Sequence, residues 1–209
     1  MTAGGGRPPR WGEAHPGLLA RAMAYLRSAV SRRRPAERAS LPPLPLALRR
    51  AELAEPYLAA EQGSDHRRAG AAASEAMERA IAARDWWPAD IWAHRALWHF
   101  EQADLALAAA RAARRIGDVR TAAGDPGRAR RYYAEAISEA RDIGAEREEG
   151  LAALGLGRAM LDLGDVTTAR RLAQIAIEAL ERCGAPAAEV EAARQLRGTE
   201  VQVSEEARA

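Results

Sequence analysis

Lysine and asparagine are absent from this chain of 209 residues, cysteine and phenylalanine each occur once, and no apolar run reaches the roughly 20 residues of a membrane span. Each absence closes off a chemistry. Without lysine there is no Walker-type phosphate loop and no amine for Schiff-base or pyridoxal catalysis. The lone cysteine, Cys183, excludes an intramolecular disulfide and a cysteine-built zinc site, and fits a reducing compartment. Pro16 to Val30 comes nearest to a targeting segment, but Arg21 and Arg27 interrupt it and no cleavage pattern follows, so the expected location is cytoplasmic.

What is present is alanine and arginine. The 31 basic residues are all arginine, which points to a genome rich in G and C rather than to a nucleic-acid partner. Opposed by 29 acidic residues, they leave a formal net charge of +2 and no strong field around the whole molecule. With 48% hydrophobic residues the chain can bury a core, and the scarcity of β-branched residues beside abundant alanine predicts an all-α fold.

Punctuation by proline and glycine divides the chain. Residues 1–15 read as a flexible tail. Residues 16–65 read as N-terminal helices interrupted by a proline-rich linker over 35–45, with Pro56 expected to kink or split the helical stretch Leu46 to Gln62. Residues 66–198 hold a repeat and a closing helix from Pro186 to Leu196, and 199–209 form a polar tail. The repeat is carried by Gly124-Asp125 followed after three residues by ARRYYAEAISEA, and Gly164-Asp165 followed at the same offset by ARRLAQIAIEAL, a spacing of 40 residues. Asp125, Asp165 and, one frame earlier, Asp85 are expected to cap the helices that follow them, with Gly124, Gly144 and Gly164 ending those before.

These motifs resemble the tetratricopeptide family. Its large residue and glycine in helix A fall on Ile116-Gly117 and Leu156-Gly157, and its small or bulky helix-B positions on Ala129, Tyr133 and Ala136 and on Ala169, Ala173 and Ala176. The spacing is similar to the extended variant of bacterial signalling regulators and kinesin light chains. The aromatic helix-A position is Ala113 or Ala153 here, and the closing proline is Arg141 or Glu181. The resemblance implies an α-α solenoid, a right-handed superhelix of units at about 70–109, 110–149 and 150–189, with an N-terminal helical extension. In the first of these units Met77 stands in place of the helix-A glycine.

By the same resemblance, helix A of each unit lines a concave groove, whose positions fall on Arg111, Arg114, Asp118, Arg158 and Asp162. A non-catalytic scaffold, adaptor or sensor follows, taking a protein or peptide partner in that groove. No Ser-His-Asp order, glycine-rich phosphate loop or metal-spaced cluster is present, so no catalytic residue, metal ligand or cofactor is expected. His94 and His99, five apart, do not share a helix face as a metal pair would.

Two other features compete with the groove. Trp86, Trp87, Trp92 and Trp98, four of the five tryptophans, crowd one helix, with Trp87, Ile91, His94 and Trp98 on one stripe and Trp92, Ala96 and His99 on another. That arrangement suits either packing by the N-terminal helices or a structural subunit docked through an aromatic patch. Residues 1–50 carry ten arginines, Arg32, Arg33 and Arg34 among them, against Glu13 and Glu37. Such a basic arm would serve a nucleic-acid-associated regulator, or lie against the acidic remainder of its own chain.

Overall fold

The computed structural model describes residues 41–49 and 54–199, and every regular element among them is a helix. The expected tail over 1–15, the expected N-terminal helical stretch before the proline-rich linker, the basic arm Arg32–Arg34 and the polar residues 200–209 lie outside the described residues. In chain order the helices are α1 (Leu46–Arg49), α2 (Ala54–Gln62), α3 (His66–Ala82), α4 (Trp86–Gln102), α5 (Ala106–Ala122), α6 (Pro126–Asp142), α7 (Glu146–Asp162), α8 (Val166–Arg182) and α9 (Ala187–Gly198). No described helix is long and apolar enough to cross a membrane.

From α3 to α8 each helix has 17 residues, and the starts at His66, Trp86, Ala106, Pro126, Glu146 and Val166 fall at a fixed interval. The frame is therefore one helix plus a three-residue turn, half the interval that the sequence repeat displays. Its cause lies in the turns. At each one the second turn residue takes a positive φ: Ser64, Arg84 and Asp104 at 52–55°, then Gly124, Gly144, Gly164 and Gly184 at 64–81°. The next amide then folds back onto a carbonyl five residues upstream, as when Asp125 N–H donates to Arg120 O at 2.8 Å and Asp85 N–H to Ala80 O at 2.9 Å. This is the Schellman closure, and it satisfies the carbonyls that a helix end otherwise leaves open.

Helix starts are less uniform. Asp65, Asp125 and Asp165 each accept a hydrogen bond from the amide three residues on, those of Arg68, Arg128 and Thr168, at 2.9–3.1 Å. Asp85, expected to do the same, makes no such bond. The amide it would need belongs to Pro88, which has none. Pro56, expected to kink or split its helix, occupies the third position of α2, in the first turn, where an amide has no helical partner to lose.

Each helix packs on its neighbours in sequence, with further contacts between α5 and α7 and between α7 and α9, an arrangement consistent with an α-helical repeat. Alanine fills most of the contact positions, and a few large side chains fill what remains: Tyr57, Tyr132, Tyr133, Leu97, Ile116 and Ile137 are all at most 2% exposed. Tyr133 sits between two glycines of different helices. A Cβ added at Gly117 of α5 would meet its ring at 2.7 Å, and one at Gly155 of α7 would come nearer still. At the register positions of Gly117 and Tyr133, the preceding pair holds Met77 and Ala93, both buried, so the bulk moves from one helix to the other.

Candidate binding surface

Of the expected groove residues, the structure ties Arg114 and Asp118 into a ladder of ion pairs across α3, α5 and α7. Arg115 of α5 donates to Glu78 of α3 at 2.8 Å and to Asp118 at 3.1 Å. Arg114 donates to Asp118 at 2.9 Å and, through Nε, to Glu148 of α7. The Tyr133 hydroxyl donates to Asp118 at 3.0 Å, and burial together with that carboxylate raises its pKa well above the ordinary phenol value. Glu148 is itself only 5% exposed, and its carboxylate is paired with Arg114 and with Arg111 at 3.7 Å. Arg114 and Asp118 thus hold helices together and are not free to bind.

Arg111 remains mostly exposed, and Arg158 and Asp162 are exposed without an ion pair among the described residues. Glu78, Asp118 and Arg158 take the same register on α3, α5 and α7. The ladder therefore ends, toward the C-terminus, in charges that nothing in the described fold neutralises.

The tryptophan helix α4 presents its two stripes to different surroundings. Trp92 is buried at 2% exposure, its ring edge-on to Tyr57 of α2 with centroids 5.2 Å apart. Trp87 stands 56% exposed, and with Ile91, His94 and Trp98 it lines a hollow of about 690 Å³ roofed by Pro42, Pro43 and Pro45. Trp86 is half-buried outside that lining. The four tryptophans do not form one patch.

Between α2, α3 and α4 lies a buried hydrogen-bonded chain that sequence reasoning missed. Tyr57 Oη–H donates to Glu61 at 2.6 Å, which leaves its oxygen to accept from Arg95 Nη1 at 2.7 Å and from His99 Nε2 at 3.0 Å. With its proton on Nε2, neutral His99 accepts at Nδ1 from His66 Nδ1–H, 3.0 Å away. Arg95 Nη2 reaches on to the carbonyl of Pro42 at 2.5 Å. Burial, the charge of His66 and the Arg95 guanidinium lower the His99 pKa to about 4 against the opposing pull of Glu61, so His99 is neutral near pH 7. The partners stand 33–42 residues apart, beyond any local motif; the available signal was an arginine and a histidine on the buried stripe of α4.

His94 and His99 do not meet: His94 turns instead to Asp90 O at 2.7 Å and Tyr132 Oη at 2.8 Å. The one acidic grouping with metal-like spacing among the described residues is Glu101, Glu135 and Glu139, whose carboxylates lie within 4.8 Å of one another. Each of the three is already engaged in a contact of its own. No known protein-family model and no curated protein matches this chain.

Proposed function

We propose that the chain is a tetratricopeptide-like α-α solenoid that works without catalysis, holding a protein or peptide partner along the surface lined by α3, α5 and α7. The observation that carries this reading is the ion ladder in the helical register. It fixes the three helices relative to one another through Glu78, Arg115, Asp118, Arg114 and Glu148, and it leaves Arg111, Arg158 and Asp162 facing solvent beside it. A surface already ordered by its own ion pairs loses little entropy on binding. Its unpaired charges are Arg158 and Asp162, with Arg111 exposed but paired to Glu148 at 3.7 Å, so the partner it suits is an extended segment or helix carrying both signs.

The test is capture of a partner from host lysate by the intact chain and by an Arg158→Glu, Asp162→Arg variant. Neither side chain holds the fold together, so circular dichroism and thermal melting are expected to match. Recovery of the same protein at least about tenfold lower with the variant supports the reading. Equal recovery removes the groove from consideration. Recovery that nuclease abolishes would point instead to the nucleic-acid-associated regulator acting through Arg32, Arg33 and Arg34.

A further inference from the structure

The hollow between the proline segment and α4 has a chemistry distinct from that of the groove. Its apolar walls are Trp87 and Ile91, on successive turns of α4, and Pro42 and Pro43, which carry no backbone amides that would need partners. A volume of about 690 Å³ matches sites for small molecules rather than for whole helices.

Its polar end is a stack built on Tyr132 of α6. The Arg131 guanidinium lies 4.4 Å from the centre of the Tyr132 ring and that of Arg120 5.5 Å. Arg120 is neutralised by Asp90 at 2.9 Å, whereas Arg131 has no carboxylate within ion-pair reach among the described residues. His94 adds no charge, because burial, Arg120 and Arg131 lower its pKa against the opposing effect of Asp90. Its hydrogen bonds are assigned as well. Nδ1–H donates to Asp90 O, and Nε2 accepts from the Tyr132 hydroxyl, whose oxygen accepts from Arg131. One positive charge, held against a ring at the end of an apolar slot, is left for an incoming group.

We infer that this hollow binds a small amphiphilic monoanion, a carboxylate with a flat aromatic or extended aliphatic body, placing the body between Trp87 and the prolines and the carboxylate on Arg131. A dianion such as inorganic phosphate is disfavoured by the single unpaired guanidinium and the apolar walls. The inference does not depend on the groove, since Arg158 and Asp162 take no part in it.

Calorimetric titration of the intact chain with 2-naphthoate, with decanoate and with the neutral amide of each tests it. At least one acid is expected to bind one-to-one with Kd below about 1 mM and its amide about tenfold more weakly. The two arms separate an aromatic body from an aliphatic one. Arg131→Gln, at an exposed position, is expected to bring the acid to the affinity of its amide while leaving the amide unchanged. Trp87→Ala is expected to weaken both, with the melting curve showing that each variant is folded. The inference is overturned if neither acid binds, if acid and amide bind alike, or if Arg131→Gln leaves acid affinity intact.

Discussion

The helices before Leu105 and those after it solve the same packing problem with different materials. In the first stretch the left-handed turn positions are filled by Ser64, Arg84 and Asp104, and the helices join through aromatic rings and a buried polar chain running from Glu61 through Tyr57 and His99 to His66. In the second, glycine fills every left-handed turn, and α5 and α7 close on Tyr133 through Gly117 and Gly155. The geometry is common to both, so the frame does not depend on one set of residues. What differs is the sensitivity of each half. A polar chain needs its protons in the right places, whereas the close approach of Gly117 and Gly155 to the Tyr133 ring is set by volume, with one hydrogen bond from its hydroxyl to Asp118.

The largest effect belongs to the second half. Tyr133→Ala removes a ring from between two helices whose glycines have no side chain to fill the space, and should cost about 3–5 kcal/mol in urea unfolding. A loss under about 1 kcal/mol would mean that α5 and α7 collapse onto each other, and that the close approach is not specified by volume.

Between neutral pH and about 5, acid should act chiefly on the first half; below that, the lowered carboxylates of Asp165 and Glu189 in the second half protonate as well. All described histidines, His66, His94 and His99, lie on α3 and α4. His99 protonates at about 4 when folded against its ordinary 6.5, so the unfolded chain binds the proton first. Stability present above pH 6.5 is then lost as pH falls toward 4, by an amount on the order of 2 kcal/mol once solvent screening is allowed for. His94, also lowered, acts in the same direction. Urea midpoints from pH 7.5 to 4.5 measure the slope, and His99→Gln should flatten most of it. An unchanged slope in that variant would place the titration elsewhere.

The smallest effects should be opposite in sign. Replacing Arg84 or Asp104, at φ 55° and 52°, by glycine relieves left-handed strain and should raise stability by about 0.5–1 kcal/mol despite the looser unfolded chain. Gly124→Ala and Gly164→Ala, at φ 81° and 80°, should lower it by about 1 kcal/mol. Thermal melts of the four variants check whether the turns of the two halves are equivalent in energy as they are in shape.

This contrast also explains what was legible in the sequence. Helical content followed from composition, and the 40-residue repeat emerged where glycine marks the turns, at Gly124 and Gly164. The shorter frame stayed hidden because alternate turns carry different residues: Asp104-Leu105 and Gly144-Ala145 lack the Gly-Asp signature yet close in the same way. Unit boundaries suffered likewise, and the one read near residue 110 falls inside α5. For the surface, the sequence located Arg111, Arg114, Asp118, Arg158 and Asp162 but could not say which were paired, since Glu78 and Glu148 lie 37 and 34 residues from Arg115 and Arg114. The two stripes of α4 were legible from helical periodicity. That Trp87 lines a hollow while Trp92 meets Tyr57 depended on where the proline segment and α2 run.

The constant step from helix to helix also bears on how the chain is made. Among the described helices, substantial packing joins each only to the next or the next but one, so every such contact is complete once about 40 residues beyond its first helix have been synthesised. A nascent chain leaving the ribosome can therefore dock each helix as it emerges, and the alanine-rich face of one helix waits for at most two successors before it is covered.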